Sequence, residues 1–275
     1  MCNRRALGGC AALLVVAAMS SASLSAATFK IAVEPTYTAD KQIEVYKPFI
    51  DYLNKTSGHT FTLVTSRNFQ FFWRDIRQGV PVDFMFAEAH LTDYQVKRAG
   101  FEPLVKTAEK SSYSVLANEE VAQRGINSLI GYGVVTMPSP SLGFALLTEI
   151  FPDPIRQPNV LSSGKSWRDG VEMVFAEETD AAIVPTWLKD QYPNLVSMTT
   201  TREFPGAAIS AAPSVSAAAK QAVRDALLKL HEDTNAYEVL SELGISQFIP
   251  ANAAEYAGYD RLLRIFFGYK EVGVE

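Results

Sequence analysis

The sequence predicts an α/β fold divided into two lobes, and three observations carry that expectation. From Thr28 onward, short apolar runs alternate with amphipathic helical stretches, the pattern of a largely parallel sheet covered by helices. The chain has 275 residues, and even without its first 27 it reaches the size at which a single core stops growing and a chain divides. Hydrophobic residues make up 48% of it, enough to fill two cores. Two lobes imply a cleft between them.

Residues 1–27 read as a secretory signal peptide. Arg4 and Arg5 form a short basic start, Ala11 to Met19 an apolar run, and Ser25-Ala26-Ala27 a small-residue exit. A membrane span needs about 20 apolar residues, and here Gly8, Gly9 and Ser20 interrupt the stretch. A lipid-anchored precursor would carry its cysteine after the apolar run, whereas Cys10 precedes it. The mature protein therefore begins near Thr28, outside the cytoplasm. Cys2 and Cys10 are the sole cysteines and leave with the leader, which excludes a disulfide framework, a thiolate nucleophile and a cysteine metal site. Losing Arg4 and Arg5 from 25 Lys+Arg, with all 30 Asp+Glu retained, makes the mature chain seven charges negative. That balance argues against nucleic acid, whose binders need a basic stripe.

In chain order, Phe29 to Val33 is an apolar strand stopped by Pro35. Asp40 to Lys55 is a helix by the spacing of Ile43, Tyr46, Phe49, Ile50 and Leu53. Thr60 to Thr65 alternates as a strand, Phe69 to Gln78 is helical, and Val82 to Ala87 is a buried strand. A helix from Thr92 to Ala99 leads through Gly100 to a strand at Glu102 to Val105, and Tyr113 to Ala117 reads as a strand leaving the first lobe. The second lobe holds a strand at Gly133 to Thr136, a helix from Leu142 to Ile150, a strand at Asn159 to Leu161, a helix from Ser166 to Phe175 and a strand at Asp180 to Val184.

The chain then returns through a strand at Ala207 to Ala212 to helices at Ala217 to Asp233, Ala236 to Leu243 and Ala254 to Phe267, with Ser216 as an N-cap. The expected division is first lobe 28–118, second lobe 119–205 and a return to the first lobe over 206–275. The strands near Tyr113 and Ala208 would cross between lobes as a hinge.

Catalytic patterns are sparse. Gly164-Lys165-Ser166 imitates the end of a phosphate loop, but Asn159 stands where its first glycine belongs. No nucleophile elbow, zinc helix or dinucleotide fingerprint occurs. Of three histidines, His59 and His231 read as surface groups, and His90 alone follows a buried strand, where ligand sites of α/β folds form. An enzyme would have to rely on His90 with Glu88. Nothing here recommends an enzyme, and no metal or cofactor is expected.

Several strand-end turns are candidates for the ligand site. Ser139, Ser141 and the backbone at Gly143 open the helix that starts at Leu142, where free N–H groups and the helix dipole offer a cradle for an oxyanion, or where a serine merely caps the helix. Tyr37 and Trp167 offer aromatic walls, and Glu88, His90 and Thr186 stand at other strand ends. These eight residues are the expected ligand contacts.

The order of segments resembles the periplasmic substrate-binding proteins of phosphate, phosphite and phosphonate ABC transporters. The likeness rests on Pro35-Thr36-Tyr37, Tyr46-Lys47-Pro48-Phe49, Val82 to Phe86, Ala99 to Leu104, Pro138-Ser139-x-Ser141-x-Gly143-Phe144, Thr179 to Ala182 and the closing Leu243-Gly244-Ile245-x-x-Phe248-x-Pro250-Ala251. It spans nearly all of the mature chain. The resemblance implies a type 2 periplasmic binding fold with a two-strand hinge, closing over a small polar solute and delivering it to a membrane permease or, alternatively, to a sensor kinase. A phosphonate-like oxyanion is the favoured cargo, and a monomer is the default state.

The pocket departs from the family pattern. Pro140-Ser141-Leu142-Gly143 replaces a Ser-Thr-Ser-Gly run, Glu88-Ala89 replaces a Gly-Pro pair, Trp167 stands for a histidine, and Pro185-Thr186 replaces an acidic or aromatic position. An anionic ligand charge ~4 Å from Glu88 would cost about 4 kcal/mol at an effective dielectric near 20. Arg67 or Lys165 would have to compensate. If neither faces the cleft, a neutral or cationic solute stacked on Tyr37 or Trp167 is expected instead.

Overall fold

A computed structural model describes residues 26–271; the expected signal peptide lies almost wholly outside them. The chain runs β1 (Thr28–Val33), α1 (Ala39–Thr56), β2 (Thr60–Val64), α2 (Phe69–Gln78), β3 (Phe84–Ala87), α3 (Ala89–Ala99) and β4 (Glu102–Thr107). Next come β5 (Tyr113–Ala117), α4 (Glu119–Gln123), β6 (Gly133–Val135), α5 (Leu142–Ile150), β7 (Asn159–Leu161), α6 (Trp167–Phe175), β8 (Ala181–Pro185) and β9 (Val196–Thr200). It closes with β10 (Ala208–Ala211), α7 (Ala217–Leu228), α8 (Tyr237–Leu243) and β11 (Phe248–Pro250).

The strands form two sheets, ordered β11-β4-β10-β3-β1-β2 and β7-β6-β8-β5-β9. Each is mixed. β1 pairs in parallel with β2 and β3, while β10 runs antiparallel between β3 and β4. In the second sheet β6 is parallel to β7 and β8, and β5 is antiparallel to β8 and β9. The returning strands thus add antiparallel pairs to parallel strand-helix units.

Helix ends follow side-chain chemistry. Asn68 Oδ1 accepts from the Phe71 N–H at 3.1 Å, Ser166 Oγ from Asp169 at 3.1 Å and Ser216 Oγ from Ala219 at 3.2 Å, each satisfying a first-turn donor. Gly79 and Gly100 end α2 and α3 in the left-handed conformation, at φ 65° and 66°.

Three expectations are corrected. The strand Tyr113–Ala117 does not cross between lobes: it is buried at every residue and lies inside the second sheet, so that lobe begins before residue 118. The crossings are the flanking segments, where Ser111 and Phe204 exchange backbone hydrogen bonds of 3.1 and 2.8 Å and Thr107 N–H donates to Ala207 O at 3.0 Å. Gly206 sits so tightly there that a Cβ would fall 2.4 Å from the Thr107 carbonyl oxygen.

The helix expected over Ala254 to Phe267 is instead two 3-10 turns, Ala253–Tyr256 and Tyr259–Leu263, broken by Gly258 at φ 96°. Asp93 of α3 holds that break, its Oδ2 accepting from Gly258 and Asp260 N–H at 2.8 and 3.0 Å. The helix expected from Ala217 to Asp233 ends at Leu228 and passes into a 3-10 turn at Leu230–Glu232.

The tail ties the lobes together. Tyr256 is fully buried in the second core and donates its hydroxyl to Gly206 O at 2.8 Å, while Leu263 and Phe266 pack in the first. Among the described residues no helix is long and apolar enough to cross a membrane.

Candidate functional site

A cavity of about 170 Å³ lies between the two sheets, walled by the ends of β1, β3 and β8, by both crossing segments and by the loop after α8. Its floor is built by register. Val33 of β1 pairs with Phe86 of β3, so these parallel neighbours release Glu34 and Glu88 side by side at their carboxyl ends. Glu88 occupies the N-cap position of α3, and its backbone N–H donates to Glu34 Oε1 at 2.7 Å.

Both carboxyls titrate abnormally high. Burial pushes Glu34 well above the carboxylate range and the neighbouring Glu88 charge adds to it, against one backbone hydrogen bond. Burial lifts Glu88 to about 7, partly offset by the hydroxyls of Ser111 and Tyr113. Glu88 Oε2 is buried without a hydrogen-bond partner. Tyr46 and Tyr113 are buried beside the pair, and their phenols are pushed up by burial and by these carboxyls.

The walls are aromatic. Tyr37 comes from the turn after β1, Trp167 from the first residue of α6, and Trp187, half-exposed, from the turn after β8. Trp167 meets Tyr113 edge to face at 5.4 Å. Glu109, Lys110 and Glu242 stand at the margin; Lys110 Nζ is turned to Glu203, 2.6 Å away. Neither Arg67 nor Lys165 lines the cavity.

Of the eight expected contacts, Tyr37, Glu88 and Trp167 line this cavity and the other five do not. Ser141 is the N-cap of α5: its Oγ accepts from Phe144 N–H at 3.3 Å and donates to Met137 O at 3.0 Å, leaving it fully buried. Ser139 precedes a cis bond to Pro140 in the same turn. Gly143 lies beneath the Trp167 indole, where a Cβ would sit 3.0 Å from its Cη2. The indole therefore covers the first turn of α5, the place where an oxyanion cradle was expected.

His90 is fully buried in α3 and donates Nε2–H to Pro140 O at 2.8 Å, joining the two lobes. Burial lowers it to about 4, against the pull of that carbonyl. It is a neutral link, not a base facing the cleft. Thr186 Oγ1 joins the hydroxyls of Ser112 and Ser114 at 2.9 and 3.1 Å.

Glu34, Tyr46 and Tyr113 escaped the sequence reading. The strand-end rule that selects Glu88 after β3 selects Glu34 after β1 equally well, but Pro35 made that position read as a simple stop. Tyr113 was hidden by the misplaced crossing. Among the described residues no group of His, Cys, Asp and Glu is arranged to hold a metal.

A family model described as the ABC transporter, phosphonate, periplasmic substrate-binding protein matches residues 31–142 and 159–256. No curated protein matches by sequence. Among solved structures, PhnD1 from Prochlorococcus marinus in complex with methylphosphonate superposes with a TM-score of 0.72 at 12% identity, covering 86% of this chain and 97% of that one. A binding protein component of an ABC phosphonate transporter from Pseudomonas aeruginosa gives 0.71 at 16% identity, covering 86% and 85%. A Xanthomonas citri protein bound to ATP gives 0.68 at 15% identity, covering 86% and 98%. At such identities these likenesses establish the two-lobed fold.

Proposed function

The chain belongs to the phosphonate family of periplasmic substrate-binding proteins of ABC transporters, and from that premise we propose that it captures a small polar solute in the cleft between its two sheets and delivers it, chemically unchanged, to a membrane permease. The observation that carries this reading is the cavity itself, lined by Glu34, Glu88 and Tyr37 from one lobe and by Tyr113, Trp167 and Trp187 from the other. A solute that touches both sides at once stabilises the closed arrangement by its differential affinity for it.

The contacts we assign are Tyr37, Glu88 and Trp167, joined by Glu34, Tyr46 and Tyr113. Capture rather than turnover is supported by His90, whose Nε2–H is committed to the Pro140 carbonyl inside the protein. Residues 1–27 would direct export and be removed.

A phosphonate is the solute class to test first, since the family description names it. A ligand present at 100 times its dissociation constant adds about 2.7 kcal/mol to stability. The mature protein, stripped of endogenous solute, should show that stabilisation in a thermal-shift screen of phosphonates, phosphate, sulfonates, amines and amino acids. The stabilising compound should be recovered intact by mass spectrometry. Its conversion to a product would overturn the reading.

A further inference from the structure

We propose that the first-lobe floor of the cleft is a subsite for an organic ammonium group, so that the captured solute carries a positive charge. This rests on the solute-capture reading and names the chemistry of its ligand.

Strand register brings Glu34 and Glu88 to one cavity, where Glu34 Oε1 accepts from the Glu88 backbone N–H at 2.7 Å and the Glu88 charge bears on Glu34. Like charges so close repel unless a cation or a proton intervenes. Among the described residues that line the cavity the one cation is Lys110, which is exposed and paired with Glu203, and Arg67 and Lys165 do not line it. Glu88 Oε2 is buried with its hydrogen-bonding capacity unused. What is missing from this floor is a positively charged donor, and the cavity opens onto it.

The walls suit the same guest. Tyr37, Tyr113 and Trp167 line the same cavity as the carboxyls, and aromatic faces attract an ammonium ion through their quadrupoles, most strongly when it is desolvated. An oxyanion would meet the opposite situation. The α5 N-terminus that would hold it is capped by Ser141 and covered by the Trp167 indole.

The test is calorimetric titration of the stripped mature protein with tetramethylammonium, butylammonium and methylphosphonate, repeated on Glu34→Gln and Glu88→Gln. At least one ammonium probe should bind. Its Kd should rise about tenfold or more in Glu88→Gln, equivalent to ~1.4 kcal/mol. That variant keeps the side-chain shape and loses a repulsion, so it should melt no lower than the parent. Failure of both ammonium probes to bind overturns the inference, as does binding undiminished in both variants. If methylphosphonate alone binds, the ammonium subsite falls and solute capture stands. If native mass spectrometry of protein taken from the periplasm finds no solute and no probe of any charge binds, both fall.

Discussion

Glu34 and Glu88 show how far two side chains can be moved from their ordinary chemistry by placement alone. Each follows the carboxyl end of a parallel strand, Glu34 is buried and Glu88 has its Oε2 enclosed, burial raises both, and the Glu88 charge adds to the cost of ionising Glu34. A carboxyl whose folded value is raised holds its proton in the native state after the unfolded chain has released it. The folded state then binds more protons, and stability falls as pH rises through that interval. For Glu88 the interval runs from the ordinary 4.5 to about 7, a loss of up to ~3 kcal/mol at 1.36 kcal/mol per unit. The solute-free protein should be more resistant to urea at pH 5 than at pH 8, and Glu88→Gln should flatten that slope. An unchanged slope in the variant would refute the assignment. Glu88 was legible in the sequence because it follows an apolar strand; its partner was not, because pairing of β1 with β3 is a long-range fact that local pattern does not carry.

At the scale of elements, the turn from β6 to α5 separates capping from binding. Ser141 faces inward, satisfying a first-turn N–H of α5, and Trp167 of α6 lies against Gly143. Ser141→Ala should therefore cost ~1 kcal/mol of stability and leave solute affinity unchanged; thermal melts and titration of the same sample check both halves. A large loss of affinity without loss of stability would restore the oxyanion cradle. The sequence left these two roles open because a serine before a helix has the same local pattern in either. Strand-helix alternation was readable for the same reason that the tail was not. The period of apolar residues marks elements covered by one core, whereas Tyr256, Leu263 and Phe266 are spaced by what two different cores require, and Gly258 breaks the helix expected there.

For the whole molecule, the division into lobes was legible from size and alternation, but the place of division was not. β5 looked like a connector because it follows the first lobe in sequence; its complete burial between β8 and β9 reveals a central strand. The true crossings are short and paired to each other at Ser111 and Phe204, an arrangement suited to hinge motion. The His90 bond to Pro140 and the tail running from Tyr256 to Phe266 hold the lobes together beyond the crossings. A cleft framed in this way binds by closing on what both halves touch. The most direct test is a crystal structure of the mature protein with the solute it carries from the periplasm. The account predicts that solute between Tyr37 and Trp167, with a donor group on Glu88. A solute seated elsewhere, with this cleft holding only solvent, would contradict it.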